Sequence, residues 1–387
     1  MLIGKANKDL NSDHLKTEYR QHLFIFLEIF EREGGIQSYV KDIFRAYNEL
    51  EKSYQADVFL LRDSFIKDNP FASVDLKFHY FKSQSQQLGR MKIVAALVRY
   101  ILQKRPSKVF CGHINLAILV QSICQPLGIP YVVLTYGKEV WKPLPKRYQN
   151  ALANSSQIWA ISRYSRDRAC AANNLDPKKV RMLPCAINGD KFTPGNKSPE
   201  LIAKYGLNNK KVLMTVARLW SGDIYKGVDV TIRALPKIVT AFPEVKYLVI
   251  GRGDDQPRLV QLAKDLEIAD RVVFAGFVPT EELINHYRIA DAYVMPSQEG
   301  FGIVYLEAMA CGIPVVSGDD DGSADPLQDG KVGWRVPHRD SEAVASACIE
   351  ILTGEDRRCD STWLREQAIA KFSINALSQG LQQYIVT

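Results

Sequence analysis

Residues 291–322 read D-A-Y-V-M-P-S-Q-E-G-F-G-I-V-Y-L-E-A-M-A-C-G-I-P-V-V-S-G-D-D-D-G. The stretch predicts a strand, a loop, a helix and a second strand. Ala292 to Met295 is a short apolar run stopped by Pro296, which has no N–H to give a sheet ladder. Ser297 to Gly302 is a polar loop with two glycines. A helix is expected from Ile303 to Cys311, with Gly312 as its C-terminal cap and Pro314 just beyond. Ile313 to Val316 is the next buried strand.

The loop has chemical potential. Gly300 and Gly302 leave the backbone N–H groups around Phe301 and Ile303 open to a ligand, at a helix start whose dipole favours an anion. Glu299 and Glu307 flank that start, eight residues apart. Glu299 can reach a neutral polyol, and Glu307, one turn into the helix, another hydroxyl pair. A phosphate at the N–H groups with hydroxyls on both sides describes a sugar nucleotide. The competing reading is a helix whose acidic residues merely cap and solvate it, common for a lone pair.

The dense run E-G-F-G-I-V-Y-L-E-A-M-A-C-G-I-P-V-V (299–316) resembles the E-x7-E segment of the retaining glycosyltransferase family 4, bacterial polysaccharide-biosynthesis type. The resemblance implies an α/β chain of the GT-B fold, with two Rossmann-like parallel-sheet domains facing a cleft. It places an acceptor-binding domain at 1–190, a nucleotide-sugar domain at 191–372, and a helix at 373–387 that returns to the first domain.

Length agrees with two domains, since 387 residues exceed one ordinary domain. No apolar run reaches the ~18–20 residues of a membrane span, and the N-terminus lacks a signal-peptide pattern. Seven scattered cysteines without a C-x-x-C read as buried small hydrophobes in a reducing cytosol. The expectation is a cytoplasmic protein. The net charge of +7 is divided: residues 1–190 hold 28 Lys and Arg against 17 Asp and Glu, the remainder 22 against 26. No acidic residue occurs from Leu76 to Lys138. Such a stretch is either a solvated basic face or a surface for anionic lipid or an anionic acceptor, at the inner face of the cell membrane. Nucleic acid is not expected, because no reader motif accompanies the charge.

Taken in order, Gln21 to Phe30 is the first strand, and Gly34-Gly35 opens the following helix. This pair resembles the glycine loop that the family sets under the donor phosphate. Ala56 to Leu61 is a strand, 63–87 reads as irregular, and Leu88 to Lys104 is helical with apolar residues at Leu88, Met91, Val94, Ala95, Val98, Ile101 and Leu102. Val109 to Cys111, Pro130 to Thr135 and Ile158 to Ser162 are further strands. Their alternation with helices predicts a parallel, doubly wound sheet. His113, at a strand end, is a candidate for the cleft or a structural histidine. After Y-V-V-L-T comes Y-G-K-E, where many members of the resembled family have H-G-x-E. Tyr136 stands at the histidine place and could donate to a sugar hydroxyl, but is no proton acceptor at neutral pH.

In the second half, Lys211 to Val216 is a strand, followed by A-R-L-W-S-G-D-I-Y-K-G. Arg218 and Lys226 are candidates for neutralising a diphosphate, Arg by its fork and Lys as a point charge. Tyr247 to Gly251 ends in the glycine turn G-R-G-D-D beside the expected base pocket, whose edge the resemblance gives to the backbone near Val278. Thr280, with Glu282 or Glu281, is expected to cap the next helix. Asp319-Asp320-Asp321 reads as solvated rather than as a metal site.

The function expected is a retaining, metal-independent hexosyl transfer without a bound cofactor. Arg218, Lys226 and the helix N-terminus at 301–303 would stand in for a metal, and by resemblance Glu299 would hold the transferred sugar and Glu307 the ribose. The donor expected is UDP-glucose and the acceptor a glycan or lipid-diphosphate-linked saccharide. A sugar-nucleotide-binding accessory protein without transfer, and a nucleotide-sugar epimerase of the same architecture, remain the alternatives.

Overall fold

A computed structural model describes residues 20–50 and 54–386. Residues 1–19 of the expected first domain lie outside the described residues. Among the described residues seven strands come first: β1 Arg20–Phe26, β2 Tyr54–Leu60, β3 Leu76–Tyr80, β4 Lys108–Cys111, β5 Tyr131–Thr135, β6 Gln157–Ala160 and β7 Val180–Met182. Between them run the helices α1 Gly35–Asn48, α2 Gln86–Lys104, α3 Ile114–Cys124, α4 Lys146–Ala153 and α5 Arg163–Asn173. The sheet is wholly parallel, ordered β3-β2-β1-β4-β5-β6-β7. Central β1 is buried along His22–Phe26, as a strand covered by helices on both faces must be.

The second half repeats the plan. Its strands are β8 Lys211–Val216, β9 Val245–Ile250, β10 Val272–Gly276, β11 Ala292–Met295, β12 Val315–Gly318 and β13 Trp334–Val336, all parallel and ordered β10-β9-β8-β11-β12-β13. The helices are α6 Pro199–Lys204, α7 Val228–Ala241, α8 Gln256–Asp265, α9 Leu283–Ile289, α10 Ile303–Ala310, α11 Ser341–Thr353, α12 Ser361–Phe372 and α13 Ile374–Val386. The chain has two doubly wound α/β units with the C-terminal helix on the first. Helix α13 packs on α1; Ser378 Oγ donates to the Ala46 carbonyl (3.1 Å), and Lys108 Nζ to the carbonyls of Tyr384 (3.2 Å) and Ile385 (3.1 Å).

The two passages between the units lie side by side. Ile187 N–H donates to the Phe372 carbonyl (2.7 Å), and Ile187 pairs with Ser373. Arg365 spans them, donating to the carbonyls of Gly189 (2.7 Å), Phe192 (2.6 Å) and Ala310 (2.6 Å).

Several local expectations are corrected. The irregular stretch 63–87 contains edge strand β3, too short and mixed (L-K-F-H-Y) to announce itself. Helix α9 starts at Leu283 and Thr280 does not cap it; Glu282 holds the N-cap position with no side-chain bond. In α2 the sheet takes Gly89, Ile93, Leu97 and Ile101, four residues apart, and leaves most of the expected apolar stripe outside. All seven cysteines are free, and six are buried. Among the described residues, no helix is long and apolar enough to cross a membrane.

Candidate functional site

Two loops at the C-terminal ends of adjacent strands β8 and β11 bring Lys226 and Glu299 together. Open parallel sheets expose just such strand ends to ligands. After β8 the chain turns through a 3-10 segment, Ser221–Lys226, into Gly227 at φ 74°. A Cβ on Gly227 would lie 2.5 Å from the Pro296 carbonyl oxygen, so glycine lets α7 begin hard against the β11 loop. Gln298 N–H then donates to the Tyr225 carbonyl (3.2 Å), and the Lys226 ammonium pairs with the Glu299 carboxylate.

Arg218 sits on the same loop, largely exposed, its Nε donating to buried Asp223 (2.6 Å) and its guanidinium 5.3 Å from the Trp220 ring centroid. The glycine turn after β9 braces this loop. A Cβ on Gly251 (φ 142°) would fall 1.8 Å from the Ala217 carbonyl, Leu219 N–H donates to the Arg252 carbonyl (3.1 Å), and Ser221 Oγ donates to Asp254 (2.8 Å). Val278 is buried beyond β10, while its neighbour Phe277 is exposed under the Arg252 guanidinium, 4.8 Å away.

Helix α10 starts at Gly302 (φ 87°) with no side chain capping its N-terminus. Phe301 turns into the core against Phe372, and Ile303 is half-buried. Glu307 is half-buried and accepts from Tyr287 Oη (2.7 Å); burial pushes its carboxyl up to about 7.

Asp321 overturns the expectation of a solvated acidic run. Asp319 and Asp320 are exposed, but Asp321 is buried and accepts the Glu299 N–H (2.8 Å), while Gly322 N–H donates to the Glu299 carbonyl (2.8 Å). Burial raises the Asp321 carboxyl to about 7, against the Glu299 N–H and Ser323, which favour its charged form. The E-x7-E loop is clamped at its first glutamate from both sides. Among the described residues, no three His, Cys, Asp or Glu side chains gather as a metal site requires.

The first unit closes over this loop. A Cβ on Gly300 would lie 2.6 Å from the Tyr136 carbonyl oxygen, Ser165 Oγ donates to the Gly300 carbonyl (3.2 Å), and Arg163 pairs with Asp325 and Asp329. Lys138 lies over the Tyr225 ring; partial burial lowers its pKa, with Glu299 opposing and Lys226 adding to the fall. Sequence reading counted Lys138 only as charge, although its place in Y-G-K-E, beside Tyr136, was the available signal.

Two first-unit expectations change. The Tyr136 hydroxyl is buried and donates to the Gly112 carbonyl (2.7 Å), so it is not free for a sugar. His113 caps α3, its Nδ1 accepting from the Asn115 N–H (3.1 Å), and burial lowers its pKa. Gly34 and Gly35 open α1, where no side chain caps the helix. A Cβ on Gly35 would meet nothing within 4 Å, and one on Gly34 only the Gln37 side chain at 3.0 Å, so protein packing does not demand this pair.

Residues 197–362 match the family model described as glycosyl transferases group 1. Over 341 residues the chain is 29% identical to the GDP-mannose-dependent alpha-(1-6)-phosphatidylinositol monomannoside mannosyltransferase of Mycolicibacterium smegmatis, covering 84% of this chain and 87% of that one. It is 26% identical over 352 residues to the GDP-mannose-dependent monoacylated alpha-(1-6)-phosphatidylinositol monomannoside mannosyltransferase of Corynebacterium glutamicum, covering 88% and 90%. Among solved structures, Anabaena HepE in complex with UDP superposes with a TM-score of 0.76 at 19% identity, over 95% of this chain and 99% of that one. The last likeness is one of fold, the GT-B arrangement.

Proposed function

We propose, for a chain whose residues 197–362 match the glycosyl transferases group 1 family model, a retaining transfer of hexose from a nucleoside-diphosphate sugar to a lipid-linked saccharide. The observation that carries this reading is the meeting of Lys226 and Glu299 at adjoining strand ends. On donor binding the diphosphate takes Lys226, with Arg218 and the uncapped α10 N-terminus around it, and the sugar hydroxyls take Glu299. Lys138, reaching over from the first unit, adds a third cation.

The acceptor oxygen bonds to the anomeric carbon as the bond from that carbon to the phosphate oxygen breaks. The acceptor's proton passes to the departing diphosphate on the same face. Preorganised charge at the leaving group is commonly the largest catalytic contribution, each donor being worth about 3–4 kcal/mol. Glu307 would hold the ribose. No bound metal or cofactor takes part in this scheme.

GDP-mannose is the first donor to test. Sequence reading favoured UDP-glucose, but the relatives aligned over most of their length are named for GDP-mannose. Thermal shift with GDP-mannose, UDP-glucose and ADP-glucose, with and without EDTA, should single out one donor that stabilises wild type. Lys226→Ala should lose that shift and about 10²–10³-fold in turnover. Wild-type turnover in both Lys226→Ala and Arg218→Ala would sink the scheme, and an EDTA-sensitive shift would restore a metal to it.

A further inference from the structure

Helix α2 has two apolar sides and buries one. Gly89, Ile93, Leu97 and Ile101 face the first sheet. On another side Leu88 (45% exposed), Met91 (69%), Val94 (37%), Val98 (38%) and Leu102 (55%) form a stripe spaced by threes and fours. At 1.5 Å per residue it runs about 21 Å along the surface. Single exposed apolar residues need no explanation, but five in helical register on one element do. Lys92 and Arg99, seven residues apart, border the stripe on one flank, and Arg90 stands on the other.

We infer that α2 lies in the surface of an anionic bilayer, its stripe inserted at the boundary between headgroups and acyl chains and its cations on the lipid phosphates. A surface-lying helix carries this division of apolar and basic faces. Charge selects the occupant: with no acidic residue from Leu76 to Lys138, a second copy would set Lys92 and Arg99 against like charges, whereas an anionic lipid surface complements them.

A cleft of about 340 Å³ opens at the N-terminal end of the same helix. It is bordered by Ser85, Gln86 and Arg90, and its cations Arg32, Arg62 and Lys82 are paired with Glu28 and Glu31 on the same wall. These three cations are therefore engaged by the cleft's own carboxylates, and the docking of α2 rests on the stripe and the cations that flank it.

The stripe makes a demand that charge alone does not. Electrostatic attraction is screened by salt, while apolar insertion is not. Wild-type protein, without donor, should co-sediment with phosphatidylcholine vesicles containing phosphatidylglycerol and stay partly bound in high salt. The double variant Met91→Ser, Leu102→Ser should lose about tenfold or more of its partitioning, with an unchanged melting temperature and unchanged turnover on a soluble acceptor. Lys92→Gln with Arg99→Gln should weaken binding at low salt and flatten its salt dependence.

Full vesicle binding by the serine variant, or complete release of wild type by salt, would overturn the inference. A dimer that dissociates in the serine variant would also overturn it, assigning the stripe to a second copy. Vesicle binding without any sugar transfer would leave this inference standing and remove the proposed reaction instead.

Discussion

Tyr136 shows how far a residue's identity carries and where its surroundings take over. The sequence places a tyrosine where many members of the family it resembles have a histidine, and the chemistry of phenol allows a bond to sugar. The fold spends that hydroxyl on the Gly112 carbonyl. Tyr136→Phe should therefore cost about 1 kcal/mol of stability, a buried carbonyl losing its donor, and leave the donor KM unchanged. A raised KM at wild-type stability would return the residue to the sugar. Glu307 gives a prediction with a sign. Burial raises its carboxyl to about 7, above the ~4.3 of an unfolded chain. Its contribution is complete below the lower value and lost as pH rises through the upper one. Glu307→Gln cannot ionise, so without donor its melting temperature should rise relative to wild type from about pH 5 to about pH 8. A constant difference would mean the carboxyl titrates normally. Asp321 and Lys138 were not legible as site residues. One stood in an acidic run and the other in a basic stretch, and only the fold tells which member of a run turns inward.

Elements were more legible than the residues between them. Strand β11 and helix α10 follow from apolar runs bounded by proline and glycine, and β8 from its apolar run alone, because burial on both faces needs such runs. Strand β3 was hidden, since an edge strand needs only one covered face and can be half polar. In α2, periodicity found an apolar stripe and could not say which of two the sheet would take. At Gly227 the backbone requirement is definite. Alanine there would hold an unfavourable φ and press on Pro296, so Gly227→Ala should destabilise the second unit by more than about 1 kcal/mol and abolish the donor-induced melting shift. An unchanged shift would mean that the α7 start and the β11 loop need not touch.

The two-sheet plan of the whole molecule was readable from the alternation of strands and helices. The closing contacts between the units were not, because Arg163, Asp325 and Asp329 meet only through the fold. These side chains are partly exposed, so the link should be worth about 1 kcal/mol or less and weaken with salt. Small-angle scattering should show wild type shifting toward a more open form as salt rises, and Arg163→Ala starting more open and responding less to salt. A variant that expanded with salt as much as wild type would place the closing contact elsewhere. The position of α13 on α1 has a further consequence, in the order of manufacture. A ribosome delivers the seven strands of the first sheet, then the entire second unit, and only afterwards the helix that covers α1. At about 5–20 residues per second, the earlier unit waits with an apolar face open while the later one is made. The half synthesised first is therefore the half completed last.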